Sequence, residues 1–193
     1  MTVCVPPLRS TRTPAGYTTC MGRDSDGAPE VYTIGHSNHP LEHFLYLLDD
    51  TEIEVVLDVR STPYSRYAPH FKRGTLEDSL AHDGIEYIYM GDVLGGRPKD
   101  PAFQSEKGGI DYEKLAASAG FIEGIEKLVA LVEATGGRVA VMCAEEDPAR
   151  CHRTRLLAPA LRERGVRIWH IRGTGAVVPD KEPETGAEQQ PLL

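Results

Sequence analysis

The sequence predicts an α/β domain built on a mostly parallel sheet, and three observations carry that prediction. Short apolar, β-branched runs at 31–35, 54–59, 85–90, 138–143 and 167–171 have the length and composition of strands. In segments between them, apolar residues recur at steps of three and four, the helical period. Strands that alternate with helices pair in parallel through crossover connections, which place helices on both faces of the sheet.

Taken in order, the elements read as follows. Before residue 31 the chain is rich in breakers (Val5-Pro6-Pro7, Thr13-Pro14-Ala15-Gly16, Asp24-Ser25-Asp26-Gly27), so 1–30 is expected to be a flexible extension. A first helix starts near Pro40, with Asn38 or His39 as cap, and turns Leu41, Phe44, Leu45 and Leu48 toward the sheet. A longer helix is expected over 112–134, where Leu115, Ala119, Ile122, Ile125, Val129 and Val132 share a face and Gly136-Gly137 ends the run. The run Val139 to Cys143 is apolar throughout, as a central parallel strand requires. Asp147-Pro148 then reads as a cap and first turn of a last helix over 148–164, which Pro159 should kink and Gly165 stop. The domain is expected to close at 172, leaving 173–193 as an acidic, proline-bearing tail.

Composition sets the outer bounds. With 193 residues, 40% of them hydrophobic, the chain supports one full core and leaves no room for a second domain. A net charge of -8 argues against a partner such as long nucleic acid, whose binding depends on a basic surface that releases counterions. A nucleotide or other small-molecule substrate remains open. The four cysteines, Cys4, Cys20, Cys143 and Cys151, lack paired CxxC spacing and are expected as free thiols in a reducing compartment. No apolar run approaches the ~20 residues that span a bilayer, and no secretory signal is visible at the N-terminus. A cytoplasmic location, with no membrane partner, is the expectation.

The strand ends carry the chemistry. At their carboxyl ends stand Gly35-His36-Ser37-Asn38-His39, Asp58-Val59-Arg60-Ser61, Gly91 to Arg97, Cys143-Ala144-Glu145, and His170 with Arg172. Ligands of open α/β sheets bind at that edge, so polar groups repeated there point to a cleft. Each has a plainer reading: a turn cap for His36, a structural ion pair for Asp58 and Arg60, a satisfied edge histidine for His170.

Four ordered motifs also carry a resemblance: Tyr32-Thr33-Ile34-Gly35-His36-Ser37; Leu57-Asp58-Val59-Arg60-Ser61-Thr62-Pro63-Tyr64-Ser65; Leu94-Gly95-Gly96-Arg97-Pro98; and Met142-Cys143-Ala144-Glu145 with Cys151-His152-Arg153. Over about residues 31–172 the chain resembles the family catalogued as domain of unknown function 488. The resemblance implies a compact three-layer, Rossmann-like or flavodoxin-like fold, and it implies no particular activity.

Read as chemistry, Asp58 and Arg60 share one side of a continuing strand. Asp58 can orient a substrate hydroxyl or accept a proton, and Arg60 can fork onto a carboxylate or phosphate. Tyr64 offers a ring for stacking and Arg66 a charge, while Gly95, Gly96 and Arg97 permit close backbone approach to a ligand. Glu145, if it faces the cleft, is the best general acid or base, because burial would raise its pKa. The acidic turn speaks against a phosphatase or sulfurtransferase loop: three acids follow Cys143 within four residues, and Arg150 stands at a six-residue gap. Cys151, His152 and Arg153, placed on one helix, would point about 100° apart. Cys151 is then expected against the sheet and Arg153 or His152 in the cleft. His36, His39, Asp58, Cys143, Glu145 and His152 are all metal-ligating types, but without HExxH or paired-cysteine spacing no metal site is assigned.

The expected function is hydrolysis or group transfer on a nucleotide-, nucleoside- or heterocycle-like small molecule. Glu145, Asp58 and His36 are the catalytic candidates, and Arg60, Tyr64, Arg66, Gly95, Gly96, Arg97 and Arg153 the substrate-binding ones. The cofactor and oligomeric state are not legible. Two rivals stay open: a metal- or haem-dependent enzyme using the histidines and cysteines, and a ligand sensor without turnover.

Overall fold

A computed structural model describes residues 27–64, 67–106 and 108–181. Its centre is a six-stranded sheet of β1 (Glu30–Gly35), β2 (Val55–Asp58), β3 (Glu86–Tyr89), β4 (Val139–Cys143), β5 (Arg167–Ile171) and β6 (Val177–Pro179), in the spatial order β3-β2-β4-β1-β5-β6. The first five run parallel and β6 pairs antiparallel with β5. The alternation of side chains along each strand divides the core. Ile34, Val56, Ala140 and Met142 face the layer of α1 (Leu41–Asp50) and α2 (Arg73–His82), through Phe44, Leu47, Leu48, Leu76 and Leu80. Val31, Leu57, Val139 and Val141 face the layer of α5 (Ala119–Thr135) and α6 (Ala158–Arg162), through Phe121, Ile125, Leu128 and Leu161. The result is the three-layer, Rossmann-like α/β fold expected.

Register places the strand ends level. Gly35 lies opposite Cys143, Asp58 opposite Met142 and Tyr89, and Ile34 opposite Ile171. Beyond them the backbone stays knitted: the His36 N–H donates to the Cys143 carbonyl at 3.0 Å and the Ser37 N–H to Ala144 O at 2.9 Å.

Several elements differ from the sequence reading. Pro40 itself caps α1, and no side chain caps it. The long helix is two: α4 (Tyr112–Ala116) ends and Ser118 starts α5, its hydroxyl accepting the Phe121 N–H at 3.3 Å. Gly136, at φ 66°, closes α5 in the left-handed conformation. A short helix α3 (Gly91–Leu94) follows β3. The last helix is interrupted in a way that matters for the site. Pro148–Arg150 is a 3-10 turn, Cys151 is extended, Arg153–Leu157 is a π-helical turn, and only Ala158–Arg162 is α-helical. Pro159 has no N–H for the fourth carbonyl before it, and the Ala158 N–H bonds instead to Arg153 O, five residues back.

At the C-terminal side, the domain does not close at 172. β6 extends the sheet, and Asp180 beyond it ties back to β5 and α6 through His170 and Arg162. A three-residue edge strand ending in proline is tolerated because its outer side needs no ladder partner. Of the extension expected over residues 1–30, residues 1–26 lie outside the described residues, as does the tail from 182 onward, while Glu30 belongs to β1. No helix among the described residues is long and apolar enough to cross a membrane.

Candidate active site at the carboxyl edge of the sheet

Two buried polar networks meet where β1, β2 and β4 end. The first is built on β2. The Asp58 carboxylate receives the Arg60 guanidinium through Nε at 2.9 Å and Nη2 at 2.6 Å, the Arg60 backbone N–H at 3.0 Å and the Tyr87 hydroxyl at 2.6 Å. Arg60 Nη1 donates to Phe71 O at 2.8 Å and to His36 Nε2 at 3.0 Å. His36 in turn donates from Nδ1 to Ser37 O at 2.8 Å and stacks on Phe71 with centroids 4.2 Å apart. This pattern makes His36 a neutral imidazole. Burial, followed by the Arg60 charge, holds its pKa down at about 4. Burial and the bond to Asp58 push the Tyr87 phenol up. Asp58, Arg60 and His36 thus spend their bonding capacity on one another and on Tyr87, Phe71 and Ser37, and the Phe71 side chain is itself buried in the core.

The second network is built on β4 and the interrupted helix. Arg153, 2% exposed, donates from Nε to Cys151 Sγ at 3.2 Å, from Nη1 to Thr33 Oγ1 at 3.3 Å, and from Nη2 to the carbonyls of Glu145 and Glu146. Thr33 shares the α5-side face of β1 with Val31. Its hydroxyl donates to His170 Nδ1 at 2.7 Å, and His170 Nε2 donates to Asp180 Oδ1 at 2.9 Å. In front of Arg153 lie Cys143, Cys151 and His152, all buried. His152 Nδ1 is 3.6 Å from Cys143 Sγ and 3.7 Å from Cys151 Sγ, and both thiols are free.

The two buried thiols are pushed in opposite directions. The bond with Cys151, then burial, pushes the Cys143 thiol up. The same bond, with His152 and Arg153, pulls the Cys151 thiol down against its burial.

The loops over this centre are fitted closely. A Cβ on Gly96 would fall 2.5 Å from His152 Cγ, and one on Gly35 would strike the Glu145 backbone. Gly95 packs on Ser61, whose hydroxyl accepts the Arg97 N–H at 2.8 Å.

The sequence-predicted residues therefore divide. His36, Asp58, Arg60 and Arg153 are buried and mutually satisfied; Gly95 and Gly96 line the centre; Tyr64, Arg97 and Glu145 are exposed. Glu145 contributes its carbonyl to Arg153, while Glu146 is the carboxylate held by Arg172 at 2.9 and 3.0 Å and by the Gly173 N–H. Arg66 lies outside the described residues. Cys151 packs in the sheet layer as expected, yet it and His152 both face Cys143. The 100° rule fails because Cys151 is extended (φ -106°, ψ 152°) and His152 helical (φ -64°, ψ -17°). Tyr87 and the Thr33–His170 bond were not anticipated. The one available signal for the latter was a threonine amid the apolar residues of β1.

A family model described as "Domain of unknown function DUF488" matches residues 40–160. No curated protein and no solved structure matches the chain. The matched segment holds β2 with Asp58 and Arg60, the Gly95-Gly96 loop, and β4 with Cys143, Cys151, His152 and Arg153. It covers well over half of the 193 residues, and the chain belongs to the DUF488 family.

Proposed function

We propose that this chain is a cytoplasmic enzyme that hydrolyses, or transfers a group from, a small polar molecule of the nucleotide, nucleoside or related heterocycle class. Its reactive centre in this reading is the Cys143, Cys151 and His152 cluster rather than Glu145. The observation that carries the proposal is the convergence of two thiols and an imidazole on one buried point, held by a guanidinium, at the sheet edge where ligands of this architecture bind. Exposed Arg97 follows directly from Gly96, which packs on His152, and in this reading it meets the substrate at the rim. Asp58, Arg60 and His36 act as the rigid floor. Free thiols at the centre suit a reducing compartment, and the charge of -8 favours a small molecule over long nucleic acid.

The test is product analysis by mass spectrometry after incubating the full chain with a panel of nucleotides, nucleosides and free heterocycles. Turnover of any member is expected to fall about 100-fold or more in Cys151→Ser and His152→Ala. In Glu145→Gln it is expected to stay within about threefold. A compound that binds unchanged would make the chain a sensor. Turnover that survives Cys151→Ser and His152→Ala but not Glu145→Gln would return the chemistry to the carboxylate.

A further inference from the structure

We propose that Cys143, Cys151 and His152 are the protein ligands of a divalent transition-metal ion of the zinc class. This inference deepens the reading of the same centre and takes its location from it. The three donor atoms lie within 4.8 Å of one another, and two of the three separations are 3.6 and 3.7 Å. In a tetrahedral site with zinc–sulfur bonds of ~2.3 Å and zinc–nitrogen bonds of ~2.05 Å, a sulfur-to-nitrogen edge is about 3.6 Å. Both sulfur-to-nitrogen edges thus stand at the separation they would keep with an ion between them.

A hydrogen-bonded thiol–imidazole pair explains less. Nδ1 has a single lone pair, or a single proton, and can make one good bond in its ring plane, yet two sulfurs sit almost equally far from it. An ion answers to all three atoms at once.

A second observation is independent of those distances. His152 is 9% exposed, and among the described residues its buried Nε2 has no partner. All the polar contacts of the ring are thus made through Nδ1, on the side of the two sulfurs. Coordination through Nδ1 fixes the tautomer and leaves Nε2–H free to donate to a bound water or substrate atom. Outside the donors, Arg153 Nε–H on Cys151 Sγ is the outer-sphere donor such thiolates take, and Gly96 leaves room for the imidazole. Two thiolates and an imidazole select zinc-like ions over magnesium or calcium. Among the described residues no fourth histidine, cysteine or carboxylate joins the group, so the fourth ligand of a tetrahedral ion would be a water or a substrate atom, as in catalytic rather than structural sites.

The test uses the full chain, reduced, stripped with a chelator, and titrated with Zn²⁺ or Co²⁺ alone. One equivalent per chain is expected. The cobalt form should show thiolate-to-metal charge transfer and the intense visible bands of a tetrahedral ion. Cys143→Ser, Cys151→Ser and His152→Ala should each weaken binding about tenfold or more, with circular dichroism reporting the fold. A Cys4→Ser, Cys20→Ser double variant should bind as the parent does. Should the stripped parent take up no ion, or should the single variants keep a full equivalent with the same spectrum, the metal site is overturned. Because removal and return of the ion are done on the parent, a variant that fails to fold does not blunt the result. An ion bound without turnover of any compound leaves the site standing and sinks the enzyme. Turnover by a parent that takes up no ion leaves the enzyme standing and sinks the site.

Discussion

Arg153 Nε stands 3.2 Å from Cys151 Sγ, and the same guanidinium reaches Thr33 on β1 and the two carbonyls of the β4 turn. One buried cation therefore fixes three segments that the chain brings together from residues 33, 145–146 and 151. Removing it leaves a sulfur, a hydroxyl and two carbonyls without the donor that the buried side chain supplied. Arg153→Met is expected to lower the unfolding free energy by about 3 kcal/mol or more in urea titration. Arg153→Lys should recover only part of this loss, since an ammonium cannot span the same four acceptors. A loss below about 1 kcal/mol in the Met variant would mean that the guanidinium does not organise the turn.

Gly35 and Gly96 offer a contrast between a fold effect and a site effect. A Cβ on Gly35 meets the Glu145 backbone, which cannot move without the whole turn after β4. Gly35→Ala should cost about 2–4 kcal/mol of stability. A Cβ on Gly96 meets the His152 ring, at 2.5 Å from Cγ, and a ring can swing. Gly96→Ala should keep most of the stability and yet weaken cobalt binding about tenfold. Equal stability losses in both variants, with binding unchanged in Gly96→Ala, would refute this division.

What the sequence made legible, and what it hid, follows from how local each signal is. β4 was legible because five apolar residues in a row, all buried, are what a central parallel strand looks like. α2 was not, because Leu76 and Leu80 are its two buried residues and one i, i+4 pair makes no stripe. β6 was hidden by its length of three residues and its proline. In the site, Asp58 and Arg60 were readable from strand alternation. The joint facing of Cys151 and His152 was not: it depends on a break in the helix, which Pro159 announces only in part. Buried pairs such as Thr33 with His170, 137 residues apart, leave almost no trace in the local pattern.

His36 predicts a pH dependence of stability. Its folded-state pKa of about 4 lies below the ordinary value of 6.5, because burial and the neighbouring Arg60 disfavour the imidazolium; Asp58 opposes this weakly and His70 adds to it. Above pH 6.5 neither folded nor unfolded chain protonates this residue, and its contribution is complete. As pH falls from 6.5 to about 4, the unfolded chain takes up a proton that the folded chain refuses. Stability should then drop by up to about 3 kcal/mol across that window. Urea titrations at intervals from pH 7 to pH 4 should show a flatter profile for His36→Gln, whose amide can still accept from Arg60. Parallel profiles for the two proteins would show that His36 is not the group being titrated.

Asp180 decides whether the segment after Arg172 belongs to the domain. Its carboxylate accepts from His170 Nε2 at 2.9 Å and from Arg162 Nε at 3.0 Å, binding β6 to β5 and α6. Burial favours the neutral acid, but these two partners outweigh it and hold the pKa below the ordinary carboxylate range. Loss of the carboxylate strands His170, whose Nδ1 is already committed to Thr33 and through it to Arg153. Asp180→Ala is expected to destabilise the fold by about 1–3 kcal/mol, and truncation after Arg172 by more, since it also exposes the edge of β5. The effect should travel along the hydrogen-bonded chain Asp180, His170, Thr33, Arg153. Hydrogen exchange should therefore speed up not only in β5 but also at the backbone amides of the turn between Cys143 and His152. Faster exchange confined to β5 and β6 would show that the chain of bonds ends at His170, with Arg153 held independently of it.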